Sequence, residues 1–177
     1  MSQMHQWHVC CGRRFPSYIV IAMPRYQWST LNTQQVGAFT EYFVKMELTM
    51  HGFQVYSTEV DDRGIDFVVR YDRGPFLQVQ VKSLRGLGYV FMEKTKFDLH
   101  EHVYLALGLL SEGEPPQLFF IPSTVWRAPG SVFVERNYEG LKSRPEWGLN
   151  LSRKNAPVLK QYAFLPMIER LIAKVAG

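Results

Sequence analysis

The chain has 177 residues, of which 46% are hydrophobic and 20% are charged. These proportions argue for a soluble globular protein with one compact core, and the chain contains no repeat or low-complexity tract. The net charge of +4 favours a polyanionic partner only weakly, since many proteins with this balance bind no nucleic acid.

The sequence does not indicate membrane insertion or secretion. No stretch approaches the roughly 18 to 20 apolar residues of a membrane span, and the apolar run at 18–23 is too short. That run also lacks the cleavage site of a signal peptide. The only cysteines, Cys10 and Cys11, are adjacent, which is poor geometry for a disulfide, and no second His/Cys pair completes a zinc site with His5 and His8. We therefore expect a reduced, cytoplasmic protein with no membrane partner.

The first regular element predicted, apart from one short strand at 18–23, is a helix over residues 33–51. Asn32 can cap this helix, with Gln35 three residues later to complete the box, and Gly52 can end it. Glu41 lies in a secondary stripe of the helix with Gly37, Val44 and Leu48. The main apolar stripe, at alternating spacings of three and four, is Val36, Phe39, Phe43, Met46 and Met50.

Strands follow the helix at 53–58, 65–71 and 76–82, separated by turn residues at 61–64 and 72–75. Further strands are predicted at 89–92, 103–110 and 118–121, and apolar residues from Leu165 to Val175 recur at helical spacing. The stretch 127–157 is rich in Arg, Lys, Gly and Pro and is predicted to be looped. This order indicates an α/β fold, a mixed central β-sheet flanked by helices, with an N-terminal arm (1–31) and a single domain (32–177).

Alternation along two of these strands gathers polar side chains. Gln80 and Lys82 share one face of the strand at 76–82, opposite its valines. Asp66 interrupts the apolar strand beside it, and buried charges are rare unless they are paired or bind a metal. Adding Glu41 from the neighbouring helix, we expect four polar groups to converge.

Convergence of these groups requires a particular strand register. Directly opposed residues of antiparallel strands share a face, so Asp66 must lie opposite Gln80 or Lys82. A four-residue loop between Tyr71 and Phe76 would instead set Asp66 opposite Val81, on the wrong face. The hairpin therefore needs a loop of three or five residues, or a bulge.

Three short segments resemble the motifs of the PD-(D/E)xK superfamily, in particular those of archaeal Holliday-junction resolvases and Mrr-type nucleases. The resemblance covers roughly residues 33–85 and implies a restriction-endonuclease-like α-β-β-β-α-β core. The segments that carry it are Gly37-Ala38-Phe39-Thr40-Glu41, Gly64-Ile65-Asp66 and Gln80-Val81-Lys82-Ser83.

The resemblance implies a metal-dependent endonuclease that hydrolyses phosphodiester bonds in DNA, with DNA favoured over RNA and with a homodimer suggested by analogy. Asp66 would be the central ligand of Mg²⁺ or Mn²⁺, with Gln80, the Val81 carbonyl and Glu41 completing the site. Lys82 would orient the attacking water and offset charge on the phosphate. The candidate nucleic-acid contacts are Arg63, Ser83, Arg85, Lys94 and Lys96.

The sequence departs from the family at Gln80, where the motif most often has an acid. An amide removes one negative charge from the metal site, although Mrr-like nucleases carry glutamine here and Asp62 or Glu59 could supply the charge. The alternative function is a catalytically inactive module of the same fold that binds nucleic acid or a protein partner.

Each candidate also has an ordinary structural interpretation. Glu41 stands four residues before Lys45, the arrangement of a surface ion pair worth about 0.3–0.5 kcal/mol. Asp66 could pair with Arg70 or Lys82 at a strand end, and the polar face of the 76–82 strand could simply be solvated. The joint occurrence of these residues at motif spacing favours the site over the separate interpretations.

Overall fold

A computed structural model describes residues 9–10, 13–14, 25–57 and 64–177. The predicted strand at 18–23 and the candidates Arg63, Glu59 and Asp62 lie outside these ranges, as does most of the N-terminal arm. Two-residue strands β1 (Val9–Cys10) and β2 (Arg13–Arg14) pair antiparallel. No helix in the described part of the chain is long and apolar enough to span a bilayer.

The main sheet has five strands in the order β3-β4-β5-β7-β8, all antiparallel except for the parallel pair of β5 and β7. Nearly every side chain of β7 is buried, because both faces of this central strand are covered. The predicted strands are confirmed, with small changes at their ends. Their bounds are β3 Phe53–Ser57, β4 Phe67–Tyr71, β5 Leu77–Arg85, β7 Val103–Leu110 and β8 Gln117–Pro122.

Helix α1 (Thr33–Met50) begins and ends as the sequence predicts. The Asn32 side chain accepts a hydrogen bond from the Gln35 N–H at 2.8 Å, and the Gln35 side chain accepts one from the Asn32 N–H at 2.9 Å. Gly52 follows the helix with φ of 84°. These local bonds satisfy backbone donors that a helix start leaves open.

The buried stripe of α1 differs from the predicted one. Val36, Thr40, Val44 and Leu48 are the buried residues of the helix, whereas Met46 and Met50 are exposed. Thr40, and not an aromatic residue, packs against the main sheet here. Its side chain fits against Gly108 of β7, and its hydroxyl donates a hydrogen bond to the Val36 carbonyl at 2.8 Å. The sequence prediction placed the stripe with the larger apolar side chains against the sheet. The structure instead buries the stripe with the smaller side chains, because these fit the surface of the sheet.

Helix α2 (Phe164–Ala176) lies on the same face of the main sheet as α1 and joins the same core. Phe164, Met167 and Ile168 pack with Val44 and Leu48 of α1. On the sheet they pack against side chains that alternate along their strands, which are Phe67, Val69, Leu77, Val79, Tyr104, Ala106 and Phe120.

The opposite face of the main sheet is covered by a second, three-stranded antiparallel sheet of order β6-β10-β9. Strands β6 (Tyr89–Glu93), β9 (Phe133–Arg136) and β10 (Glu146–Asn150) form it, and 3-10 helices lie at Trp28–Thr30, Ser123–Arg127 and Ala156–Tyr162. The prediction of a looped 127–157 segment was therefore wrong. Its strand signal is hidden because β10 buries a charged residue, Glu146, which accepts hydrogen bonds from the Tyr89 and Tyr138 hydroxyls.

The close approach of α1 to β7 makes a testable packing pair. A Cβ at Gly108 would lie 2.6 Å from Thr40 Cγ2, a fully buried methyl on a branched side chain that cannot turn away. We expect Gly108→Ala to lower the free energy of unfolding by about 1–3 kcal/mol. Thr40→Ser removes that methyl and keeps the hydroxyl, so the same alanine should have little effect in a Thr40→Ser background.

Urea unfolding of the four proteins in this double-mutant cycle measures the coupling. Gly37→Ala is the control, since a Cβ there meets nothing within 4 Å and alanine favours the helix by up to about 1 kcal/mol. Equal losses from Gly108→Ala in both backgrounds would contradict the proposed contact.

Candidate active site

The hairpin of β4 and β5 has the register that the candidate site requires. Phe67 pairs with Val79 and Val69 with Leu77. Continued by one residue, this register sets Asp66 opposite Gln80, and at the other end it leaves a three-residue loop at 72–74. The prediction that the hairpin needs such a loop is confirmed, and Asp66 and Gln80 share a face.

Asp66 lies where the backbone ladder between the two strands ends. Its N–H donates to the Val79 carbonyl at 3.0 Å, and its carboxylate Oδ2 accepts from the Val81 N–H at 2.5 Å. The side chain thus takes the place of a backbone carbonyl on β4. Because the N–H and C=O of one strand residue point to the same side, the Val81 carbonyl faces the edge where Asp66 lies.

Gln80 is buried on the face that carries the second sheet. Its side chain is 9% exposed, and its Oε1 has no hydrogen-bond partner among the residues that the structure describes. An unsatisfied buried acceptor is unfavourable by about 1–3 kcal/mol, so a partner outside these residues is expected. An amide oxygen beside a carboxylate and a backbone carbonyl is a hard donor set of the kind that Mg²⁺ accepts, so these residues fit the implied metal.

Lys82 follows Gln80 on the same face of β5 and is half-buried. Across from it, Glu93 of β6 forms an ion pair with Arg144 at 2.8 Å. The hydrogen bond from Arg144 lowers the pKa of Glu93, and the charges of Arg144, Lys96 and Lys82 lower it further. Lys82 therefore interacts electrostatically with Glu93, a carboxylate that lies outside the three sequence motifs.

Glu41 lies on α1, which covers the other face of the sheet. Its carboxylate accepts a hydrogen bond from Lys45 at 2.6 Å, and Lys45 also reaches the Ser57 hydroxyl and lies 5.2 Å from the Phe67 ring centroid. These contacts put the pair beside the end of β3 and the start of β4, next to Asp66 in sequence. The structure thus brings Asp66, Gln80, Val81 and Lys82 together in one hairpin and shows Glu41 bound to Lys45.

Carboxylate, imidazole and thiol groups alone do not form a metal centre here. Within residues 25–57 and 64–177, no three His, Cys, Asp or Glu side chains cluster closely enough to hold an ion. The donor set at this hairpin instead combines carboxylate, amide and backbone oxygens.

A cavity of about 310 Å³ opens beside Gln80. Lys96 of its far wall packs against Gly64, whose φ of 73° and missing Cβ permit the approach. In this wall, Lys96 is the residue that the sequence predicted as a functional one. The neighbouring Asp98 belongs to no motif that would identify it from the sequence. The full lining is Gly64, Ile65, Gln78, Gln80, Thr95, Lys96, Phe97, Asp98 and Val103.

The other candidate nucleic-acid contacts are placed differently. Lys94 is bound by Glu135 and Asn137 and lies 4.1 Å from the Trp147 ring centroid, so its charge is already paired. Arg85 is exposed and donates to the Leu31 carbonyl at 2.6 Å. Ser83 is half-buried on β5.

Comparison with known proteins gives structural neighbours only. No family model and no curated sequence matches the chain. The structure is similar to that of Hjc, a Holliday junction resolvase from the archaeal hyperthermophile Archaeoglobus fulgidus, with a TM-score of 0.50 and 15% identity over 75% of this chain and 95% of that chain. It also resembles the bacterial homing endonuclease I-Ssp6803I, with a TM-score of 0.49 and 17% identity over 82% of this chain and 94% of that chain.

The chain has a restriction-endonuclease-like fold, similar to that of Hjc. The mixed five-stranded sheet flanked by helices is the fold class that the sequence predicted. The implied α-β-β-β-α-β order differs in one place, because strand β6 and no helix lies between β5 and β7 in the described chain. At this identity the likeness concerns the fold alone, and the chemistry must be argued from the residues.

Proposed function

We propose that this protein is a nuclease that hydrolyses phosphodiester bonds in DNA with the aid of Mg²⁺ or Mn²⁺. The observation that carries the proposal is the buried Gln80 Oε1, which lacks a hydrogen-bond partner among the described residues and shares a face with Asp66. A bound cation would satisfy this oxygen.

The metal site in this proposal consists of oxygen ligands from one hairpin and one helix. Asp66 contributes the central carboxylate, Gln80 its Oε1 and Val81 its carbonyl, while Glu41 contributes after release from Lys45. A bound divalent ion supplies Lewis acidity and a water of lowered pKa. The Val81 N–H bond fixes the orientation of the Asp66 carboxylate before any ion binds, since one oxygen is already held.

Lys82 is the proposed electrostatic catalyst. It follows Gln80 by two residues on the same face of β5, so its ammonium group can reach the same space. There it stabilises negative charge developing on the phosphate and holds the attacking water in line.

DNA is the proposed partner because the fold neighbour Hjc is a Holliday junction resolvase, and because exposed cations lie around the site. Lys96 lines the cavity beside Gln80, and Arg85 ends the strand that carries Lys82. Arg63 would add a third cation next to the Asp66 motif. Residues 32–177 form the nuclease-like domain of this proposal, in a reduced, cytoplasmic setting.

The second candidate function is an inactive module of the same fold that binds nucleic acid or a protein. The observation that favours it is the Glu41–Lys45 ion pair, which occupies the helix carboxylate with an internal cation. Under this alternative Gln80 replaces a carboxylate because no cation is bound, and metal should not affect the stability of the protein.

Lys82→Ala tests the proposed role of the lysine. Removing the ammonium should reduce cleavage by about a hundredfold or more, because one electrostatic donor in such a site is worth about 2.7–4 kcal/mol in the transition state. Metal affinity should stay the same or rise, since a nearby positive charge repels the ion. Cleavage of duplex, single-stranded and branched DNA, with and without Mn²⁺, measures the first effect, and metal-dependent melting measures the second.

Lys154→Ala is the matched control, since this lysine is exposed in the 150–155 loop outside the candidate site. It should cut at the wild-type rate. No cleavage of any of these substrates by the wild type, with either metal, would contradict the nuclease and favour the binding module.

A further inference from the structure

The cavity beside Gln80 contains a carboxylate that lies outside the sequence motifs. Asp98 is the one acid among the described residues that line this cavity, and its carboxylate forms no hydrogen bond or ion pair within the described chain. Gln80 in the same lining is 9% exposed, and its Oε1 lacks a hydrogen-bond partner among these residues. An unsatisfied amide oxygen and an unpaired acid thus line one space, and a hydrated cation would complete this arrangement.

The charged groups around the hairpin leave a divalent ion short of negative charge. Asp66 carries one negative charge, while Lys82 and Lys96 carry two positive ones. Glu41 lies on the helix across the sheet and is held by Lys45 at 2.6 Å. Because an excess of positive charge repels a divalent cation, binding of the ion requires a further acid.

Packing on both sides of Asp98 fixes the backbone that carries it. Phe97 is 1% exposed and packs edge-on against Trp126, with the ring centroids 5.7 Å apart. Two residues after Asp98, the His100 N–H donates to the buried Ser123 hydroxyl at 2.9 Å, and that hydroxyl donates back to the His100 carbonyl. The carboxylate is therefore carried by an anchored segment, which reduces the conformational entropy lost when it holds a ligand.

The exposure of Asp98 suits an interaction through water. Mg²⁺ gives up its waters reluctantly and usually keeps several of them in a protein site. The cavity of about 310 Å³ has room for several waters, and the side chains of Gln78 and Thr95 offer them further polar partners. A carboxylate in this wall can accept a hydrogen bond from the hydration shell of an ion without direct contact.

We infer that Asp98 is a positioning residue of the metal site, where it holds a water of the ion's hydration shell and supplies the negative charge that Gln80 lacks. This role rests on the proposed function, since it needs a divalent ion held by Asp66 and Gln80. It assigns the compensating charge to the wall of the cavity. The alternatives that the sequence offered, Asp62 and Glu59, lie outside the described residues.

Asp98→Asn tests this role because it removes the charge and keeps the shape of the side chain. Titration of Mg²⁺ against the melting temperature of the full chain should show an affinity about tenfold to a hundredfold weaker than that of the wild type, as is usual when a group that holds a metal ligand is removed. Without metal, the melting temperature should change little, since Asp98 is exposed and unpaired within the described chain.

Glu101→Gln is the matched control for the loss of one negative charge. Glu101 is exposed three residues later in the chain and does not line the cavity beside Gln80. Its variant should bind Mg²⁺ with the wild-type affinity. At saturating Mg²⁺, cleavage of DNA by Asp98→Asn should approach the wild-type rate, because the substitution weakens binding of the ion and leaves the other groups of the site in place.

Gln80→Glu in the Asp98→Asn background tests whether the missing charge explains the loss. The double variant has the same formal charge around the ion as the wild type, so its Mg²⁺ affinity should return close to the wild-type value. Circular dichroism of each variant separates weaker metal binding from loss of folding.

Equal Mg²⁺ affinity of the wild type and Asp98→Asn would overturn the inference and leave the proposed nuclease in place. An equal loss of affinity in Glu101→Gln would also overturn it, since the effect would then be long-range charge alone. If Gln80→Glu fails to restore the affinity that Asp98→Asn removes, the charge is not the reason for the loss and the inference is wrong. A wild type that Mg²⁺ does not stabilise would instead contradict the proposed function, and the inference with it.

Discussion

Asp66→Asn is expected to abolish detectable cleavage while leaving the fold intact. Asparagine keeps an oxygen that can accept from the Val81 N–H, so the end of the β4–β5 ladder is preserved. What is lost is the central negative charge for a divalent ion. Metal-derived stabilisation of a transition state is worth several kcal/mol, and each 1.36 kcal/mol is tenfold in rate, so we expect a loss of at least about a hundredfold.

The measurement is cleavage as a function of Mn²⁺ concentration, alongside metal-dependent melting of the same protein. Metal-dependent stabilisation should disappear together with activity, whereas the melting temperature without metal should change little. Asp72→Asn is the control, because Asp72 lies in the loop at the far end of the same hairpin with φ of 45°, which asparagine also adopts. Wild-type cleavage by Asp66→Asn would place the activity elsewhere.

Gln80→Glu is expected to have opposite effects with and without metal. Without metal it places a second carboxylate, about nine-tenths buried, beside Asp66, and should lower the free energy of unfolding by about 1–3 kcal/mol. With Mg²⁺ the added charge becomes a ligand, since hard divalent cations prefer carboxylates to amides. The variant should then bind Mg²⁺ about tenfold or more tightly and cut DNA at lower metal concentration.

Titration of Mg²⁺ against the melting temperature of wild type and variant measures this effect. Gln117→Glu is the matched control, because Gln117 is exposed on β8 and does not line the cavity beside Gln80. It should change neither stability nor metal affinity appreciably. If metal stabilises neither wild type nor Gln80→Glu, the binding module is the correct function.

The sequence by itself determined the elements whose signals are local. The Asn32–Gln35 box and Gly52 fixed both ends of α1, because capping involves backbone groups within one turn. Alternation assigned Gln80 and Lys82 to one face of β5, because strand geometry has a period of two. The need for Asp66 to share a face with Gln80 or Lys82 predicted a loop of three or five residues or a bulge, and the structure has the three-residue loop.

Only the tertiary structure decided which partners these elements meet. It buried Thr40 against Gly108 and turned Met46 and Met50 outward, because contact with the sheet depends on shape as well as apolar area. It also revealed the second sheet, whose strand β10 buries Glu146 under the hydroxyls of Tyr138 and of Tyr89 from the distant strand β6.

The candidate site likewise has some features that the sequence determined and others that only the tertiary structure decided. Its residue types and spacing are visible in the sequence because three of its groups belong to one hairpin. The Gln80 oxygen, which has no hydrogen-bond partner among the described residues, was buried by packing between elements far apart in the chain, since burial depends on every layer around a side chain. The Glu41–Lys45 ion pair is local, and its spacing was visible in the sequence. The sequence thus determined the residue types of the candidate site, and the tertiary structure determined which of their oxygens is buried without a hydrogen-bond partner among the described residues.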